Sequence, residues 1–474
     1  MAVAIVVGNV IGSGIFAKPG QIAADGRQFP LIIAAWVTGG VLSLLGGLCF
    51  AELGAMLPRA GGMYVYLKHA YGRPLGYLQG WSQFIFGNPG SLGALSLIFV
   101  AHLGEVTGQQ ISGLATLGLS ITLILGLAVI NIGGVLWGGW VQSVTTVVKA
   151  AFVLAVAVTP FVLSAPVSGG ETLAAGLPID ADTPGAAARF AAVLLAVMWA
   201  YNGWHGITPV AEEVRDPGKN IPRSLLIGIC ILTVLYVSAN IAYHYVVPME
   251  EMAIPENREK VAVLMFNRLL GPVGATLMAL GVMVSTFGAI NSNLLLGPRV
   301  PFALGRDDSL LRWMGDVNPR FRTPARAIGI QAGMGVVLLI GSSLMVEYVP
   351  ALKEQGKGIF DLMTNYIIFS SSIFYMLAVL AVPVLRRKHP DLERPFRVSL
   401  LVPLVYLVFY SWFLYHVFLY SPLEALIGIG MNLSGIPLLL AGIWWARRRE
   451  NGPSANIELP AGDHENRRSD DDRP

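Results

Sequence analysis

Two short interruptions of otherwise apolar sequence hold the residues best suited to chemistry. In Val10-Ile11-Gly12-Ser13-Gly14-Ile15-Phe16, a pair of glycines flanks a small hydroxyl residue and destabilises helix. Within hydrocarbon an unwound backbone survives only where protein buries it or where it lines a cavity, and a cavity at that depth points to a carried solute. The half-helix starting after the break would aim unpaired N–H groups and the positive end of its dipole into the cavity, which suits a carboxylate. A competing reading is plain helix packing, because small residues let membrane helices approach closely. Trp199-Ala200-Tyr201-Asn202-Gly203-Trp204 repeats the signal, with Asn and Gly in mid-span and Pro209 a turn or two later, so a second helix is expected to be broken or strained. Carbonyls freed at the end of its first half would attract a cation.

Lys149 is the most telling ionisable residue. If its span begins near Val135, it lies fourteen residues in, or roughly 21 Å at the helical rise, too deep for the stem to snorkel to a surface with ease. Charges at such depth usually face the bundle interior and mark function rather than serve as packing glue. Glu212 and Glu213 lie beside Arg215 and Arg223, where a solvated ion-pair face competes with an inner-gate role. His205 could couple a proton, although a hydrogen-bonded core histidine is the stronger reading. No nucleophile with a base and no paired-carboxylate site is visible, so an enzyme is not indicated. Cys49 and Cys230 fall inside apolar segments and read as buried inert thiols rather than a disulfide, zinc site or redox pair.

Such residues need deep, nearly uncharged elements to hold them. Of 474 residues, 54% are hydrophobic and 13% charged, and the mean hydropathy is +0.62, which describes a polytopic membrane protein. The net charge of +3 is small and the basic residues gather in particular loops, so neither nucleic acid nor an acidic partner is implied. Apolar stretches bounded by charge or Pro/Gly clusters predict twelve helices, at 2–24, 30–57, 75–104, 111–132, 135–163, 187–211, 221–247, 273–304, 327–346, 359–385, 400–419 and 423–446. Beyond Arg447 the tail is rich in charge (Glu465, Arg467, Arg468, Asp470, Asp471, Asp472) and has too little apolar surface to order itself. The first span lacks a basic leader and runs through the glycine break into Lys18-Pro19-Gly20, so no cleavable signal peptide is expected, and further cytoplasmic residues are expected ahead of it.

Basic residues follow five of the six even-numbered spans: Arg59, Lys68 and Arg73 after the second; Arg215, Lys219 and Arg223 after the sixth; Arg306, Arg312, Arg320, Arg322 and Arg326 after the eighth; Arg386, Arg387, Lys388, Arg394 and Arg397 after the tenth; and Arg447, Arg448 and Arg449 after the twelfth. These loops, and with them both termini, are expected to be cytoplasmic. The opposite loops carry Glu105, Glu171, Asp180, Asp182, Glu250, Glu251 and Glu256. With spans 1–5 and 6–10 as two halves, the breaks fall at corresponding places. An odd number of spans per half makes the second half enter the membrane in the opposite sense, giving an inverted repeat with the site where the broken helices meet.

Gly8-Asn9-Val10-Ile11-Gly12-Ser13-Gly14-Ile15-Phe16, Ala51-Glu52-Leu53-Gly54 leading to Pro58-Arg59-Ala60-Gly61-Gly62, and Trp199 to Trp204 leading to Glu212-Glu213-Val214 and Asn220-Ile221-Pro222-Arg223 resemble the L-type amino acid transporter family of the amino acid/polyamine/organocation superfamily. Gly297-Pro298-Arg299 and Pro319-Arg320-Phe321-Arg322-Thr323-Pro324 match its bacterial members, and the resemblance covers almost the whole chain. It implies an all-α, twelve-helix LeuT-type 5+5 inverted repeat with spans 1 and 6 broken. It also implies that N–H groups around Gly12, Ser13 and Gly14 hold a substrate carboxylate. Carbonyls of Val10, Trp199 and Asn202 would take the α-ammonium group, with Ile11, Ala200, Tyr201 and Gly203 completing the binding segments. Trp199 stands where the family usually has Phe, an aromatic that closes over the substrate from outside, and is read as the gate. Lys149 matches a lysine of the family at the place where sodium-coupled relatives put a sodium ion, so its ammonium would replace the ion, and Tyr201 is expected to reach across to it. Met63 follows Gly61-Gly62 where an acidic residue is common. Residues 105–110 contain no cysteine, so the disulfide by which animal members attach to a heavy subunit cannot form.

These readings predict an amino acid antiporter of the cell membrane that works by alternating access, independently of sodium, without cofactor or metal. The expected substrates are small to medium neutral amino acids, because no carboxylate lies at mid-depth in the broken helices to pair a cationic side chain. The alternative within transport is a proton-coupled symporter for an amino acid or polyamine; from another class it is a membrane nutrient sensor, for which the tail is short. The expected division is a transport core at 1–385, spans 11 and 12 with their basic loop at 386–447, and the polar tail at 448–474.

Overall fold

The computed structural model describes residues 2–163, 176–307, 315–318, 320–321, 323–350, 352 and 358–450, with the backbone alone for 135–143 and 445–450. Glu171, Arg312, Pro319, Arg322 and the tail from residue 451 lie outside the described residues, as do the side chains of Arg447, Arg448 and Arg449. Eleven helices are long and apolar enough to cross a membrane, and a bent pair makes a twelfth. Helix is the expected answer for such sequence, since in hydrocarbon every backbone polar group must be satisfied within its own segment.

Span 1 comprises Ala2–Val10, Gly14–Ala17 and Pro19–Gly26. It is interrupted twice, once at residues 11–13 and again at Lys18, where the parts before and after meet at 57°. Span 2 is Phe29–Met56, followed by a short helix, Met63–Tyr71, that was not foreseen. Span 3 runs through Arg73–Ser82 and Asn88–Thr107, joined by one wide turn, Gln83–Gly87. Spans 4 and 5 are Gly113–Gly133 and Val135–Val162; span 6 is Ala186–Tyr201 and then a tighter helix, Trp204–Glu213; span 7 is Pro217–Val246. Span 8 is Val261–Leu296 with Arg299–Asp307 beyond it; a kink at the left-handed Gly271 (φ 66°), before Pro272, divides it into two helices, the second starting where 273 was predicted and the first preceding it unforeseen. Spans 9 to 11 are Ala325–Tyr348, Ile359–Lys388 and Leu401–Tyr420, and span 12 is Pro422–Leu433 with Ile436–Glu450. Helix thus crosses both boundaries expected near 385 and 447.

Spans holding equivalent places in the two halves pack on each other: 2 on 7, and 3 on 8. The broken spans cross head to tail, Ala2–Val10 against Trp204–Glu213 and Pro19–Gly26 against Ala186–Tyr201, as opposite entry into the membrane requires. Burial separates the centre from the flank. In spans 3, 6 and 10 some 61%, 67% and 61% of the most apolar window is covered by protein, against 22% in span 4 and 17% in span 12, whose exposed Leu and Val side chains suit lipid. A buried ion pair fixes spans 2 and 10: Arg386 donates to both Glu52 oxygens at 2.8 and 2.5 Å, and Glu52 also accepts the Val398 N–H at 2.8 Å, tethering the loop before span 11.

Candidate functional site

The two breaks meet. Phe16 and Ala17 both donate to the Ser13 carbonyl, at 3.0 and 2.8 Å, so Ser13 opens the second half-helix and the N–H groups from Gly12 to Ile15 stand outside the helical ladder. The first helix of span 6 stops because Asn202 is extended (ψ 143°) and Gly203 takes φ 98°, a left-handed conformation that a side chain would strain. A Cβ on Gly14 would lie 2.4 Å from the Ala200 Cα, so backbone crosses backbone there. The packing reading of the glycine pair therefore holds for Gly14, whereas Gly12 has room, with nothing nearer than 3.6 Å. Asn9, unremarked as a site residue in the sequence, fastens the crossing: its Nδ2 donates to the Gly203 carbonyl at 2.8 Å, and Ser292 of span 8 donates to its Oδ1 at 3.2 Å.

The crossing walls a cavity of about 1050 Å³, counting space open to solvent. Val10, Gly12, Ser13, Gly14, Trp199, Asn202 and Gly203 line it, joined by polar side chains of spans 3, 8 and 10. Among the described lining residues none is Asp, Glu, Lys or Arg. Three expected binding residues are turned elsewhere. Ile11 is fully buried in the apolar core, Ala200 is held in the crossing against Gly14, and Tyr201 donates its hydroxyl to the Trp36 carbonyl at 3.2 Å with its ring on Trp36 and Tyr236. That engagement with span 2 also corrects the expected reach of Tyr201 to Lys149. The Val10 carbonyl accepts the Tyr236 hydroxyl at 3.3 Å, which leaves it a second lone pair, and the Gly12 carbonyl accepts Ser285 at 3.0 Å.

Lys149 is fully buried, and its Nζ donates to the Gly8 carbonyl at 3.3 Å. Its Cε also rests on Gly288, where a Cβ would lie 3.0 Å away, so the lysine wedges span 5 between spans 1 and 8. His205 lines the cavity with its Nδ1 3.4 Å from the Tyr375 hydroxyl, which itself donates to Asn202 Oδ1 at 2.8 Å, in an aromatic cluster with Trp204. Cys49 is buried, but Cys230 is exposed on span 7, contrary to the expectation of two buried thiols.

The cavity's ends differ. Toward the basic loops its lining continues through Gly61, Met63, Pro209 and Val300. There Glu213 and Glu212 pair with Arg299 (3.0 Å) and Arg306 (4.0 Å) rather than with Arg215 and Arg223, and these pairs are exposed enough to contribute little. On the other side the cavity is shut in layers. Trp199 donates its indole N–H to Ser13 Oγ at 3.2 Å and meets Phe360 edge-on at 6.1 Å. Lys18 lies 4.5 Å over the Phe360 ring, fully buried, and donates to Asp361 and to Gln21 at 2.7 Å each. Glu259, in the loop before span 8, is within the field of this pair, and burial together with the Asp361 carboxylate pushes its carboxyl up to about 7. The signal for the Lys18–Asp361 pair was present in the sequence, since each is an ionisable residue inside a predicted span.

Residues 1–443 match the model of the family described as amino acid permease. The chain belongs to the amino acid permease family. Permease relatives match along most of their own length. The serine/threonine exchanger SteT of Bacillus subtilis is 32% identical over 84% of this chain and 85% of its own, and the mouse large neutral amino acids transporter small subunit 2 is 31% identical over 94% and 81%. The mouse Asc-type amino acid transporter 1 is 30% identical over 94% and 80%. In fold, this permease is similar to MhsT, whose crystal structure in complex with L-phenylalanine matches with a TM-score of 0.58 at 13% identity, covering 91% of this chain and 98% of that one. The permease is therefore a multi-pass membrane transporter of the L-type amino acid kind with a LeuT-type fold, as its motifs implied.

Proposed function

We propose that this permease exchanges neutral amino acids across the cell membrane by alternating access, independently of sodium. The observation that carries the reading is the meeting of the two breaks on a cavity whose described lining holds no charged side chain. N–H groups from Gly12 to Ile15 suit the carboxylate, and the free lone pair on Val10 with the carbonyls at Trp199 and Asn202 suits the ammonium group. A charged side chain would find no counter-charge and would lose its hydration for nothing. The Lys149 ammonium, donating to the Gly8 carbonyl of span 1, supports the reading of a fixed charge in place of a coupling cation. Exchange is favoured further by the relative named a serine/threonine exchanger.

With the basic loops on the cytoplasmic side, as the charge bias argues, the conformation described faces inward: Trp199, Phe360 and the Lys18–Asp361 pair close the outside. Spans 1–10 form the moving core and spans 11 and 12 flank it. No disulfide-linked heavy subunit takes part, since the loop after span 3 offers no cysteine. The test is uptake into proteoliposomes preloaded with unlabelled solutes. Neutral amino acids should accelerate uptake equally in sodium and choline media, while arginine, lysine and putrescine should not. A requirement for a sodium gradient, or strong exchange of putrescine, overturns the reading.

A further inference from the structure

The wide turn of span 3 was absent from the sequence reading and is not needed to bind a backbone zwitterion. On a regular helix, Gln83 and Asn88 would point about 140° apart, at 100° per residue. Here the Asn88 N–H bonds the Gln83 carbonyl, five residues back, and the extra residue in the turn brings the two side chains together, Gln83 Nε2 donating to Asn88 Oδ1 at 2.6 Å. Both line the cavity, as do Ser91 one turn further on and Gln79 one turn before. Gln79 is 2% exposed, and its Oε1 has no hydrogen-bond partner among the described residues.

The bonded amides use one donor and one acceptor between them. What remains is one whole amide carbonyl and one whole amide NH2, beside one further N–H and one lone pair on the two bonded atoms. That count is unchanged if both amides are flipped, because the roles merely exchange. A rigid pairing of one acceptor with one donor matches a side chain that is uncharged and carries both: a carboxamide or a hydroxyl. An aliphatic or aromatic side chain would leave both groups dry and unpaired when the cavity closes, and sites built to hydrogen-bond a group reject analogues that lack it.

We infer that the Gln83–Asn88 pair is a specificity subsite, selecting amino acids with a neutral hydrogen-bonding side chain over apolar isosteres. This rests on the reading of the two breaks as the seat of the amino acid backbone. The experiment is competition by unlabelled amino acids against labelled exchange substrate in proteoliposomes, using near-isosteric pairs: asparagine with leucine, and threonine with valine. The polar member of at least one pair should compete at least tenfold better, the first pair reporting a carboxamide and the second a hydroxyl. In Gln83→Leu and Asn88→Leu that preference should fall to within about threefold, whatever happens to the overall rate. Equal competition within both pairs in the unaltered permease overturns the subsite while leaving neutral exchange standing, and so does a preference that survives both substitutions. Failure of every neutral amino acid to exchange overturns the underlying reading and the subsite with it.

Discussion

At the scale of single residues, the two glycines of the first break have different jobs, and substitution separates them. Gly12→Ala places a methyl group where the nearest protein atom is 3.6 Å away, so the fold should be untouched while substrate affinity drops at least tenfold if the methyl fills the proposed seat of the carboxylate. Gly14→Ala instead drives a methyl group into the Ala200 backbone and should cost about 1–3 kcal/mol in overpacking. Thermal unfolding followed alongside binding distinguishes the two, and normal binding by Gly12→Ala would remove this break from the site. Lys149→Ala should slow the return of the carrier more than it weakens binding, because the ammonium joins span 5 to Gly8 and does not line the cavity. Apparent affinity should stay within about tenfold, ~1.4 kcal/mol, while turnover falls further. Sodium should remain without effect in the unaltered protein, and wild-type exchange rates in the variant would contradict the role. The sequence marked Lys149 by its depth, which needs only the helical rise, and by its match to a lysine of the resembled family. It misjudged Tyr201 because direction depends on rotation about the helix and on which neighbour lies there, and neither is written locally.

At the scale of elements, the breaks were legible because Gly-Ser-Gly and Asn-Gly are local breakers. The wide turn in span 3 was not, since Gln-Phe-Ile-Phe-Gly reads as ordinary apolar helix, and its geometry answers to packing and to the cavity. Gly271-Pro272 was legible as a break, and the chain does kink at Gly271; what the sequence missed is the further helix before it, whose Val261, Met265 and Phe266 are buried. The Asn9 clasp belongs to this scale. It couples the first half of span 1 to the elbow of span 6, so Asn9→Ala, which removes this bond at a cost of about 0.5–1.5 kcal/mol and leaves the Gly203 carbonyl to the Gly206 N–H at 2.9 Å, should let the two halves move separately. Stopped-flow exchange should then show turnover reduced more than affinity, and an unchanged turnover would mean that the clasp is only packing.

At the scale of the whole molecule, closure of the side away from the basic loops depends on buried charge. Glu259 has a pKa in the closed state, about 7, above the ordinary 4.5, so its contribution to closure is fully present below the ordinary value and is lost as pH rises through 7, where it must ionise beside Asp361 despite Lys18 and Lys260 nearby. Distances between spin labels on the outer ends of spans 1 and 10 should lengthen across that window, and Glu259→Gln should abolish the pH response. Asp361→Asn should open this side at every pH, since stranding the buried Lys18 ammonium costs about 3–5 kcal/mol. At the opposite mouth the described ion pairs, Glu213 with Arg299 and Glu212 with Arg306, are exposed and contribute little. A buried latch on one side and exposed pairs on the other would bias the permease to rest open toward its basic loops, and a resting bias acts as a tax on one of two customers. A solute arriving at the basic face meets the populated state and binds at its intrinsic affinity. The same solute at the far face must draw on the minority state, and its apparent dissociation constant is raised by the inverse of that state's population. One pocket would then read as high-affinity from the basic face and low-affinity from the far face, so the carrier loads at lower solute concentration from the basic side than from the other.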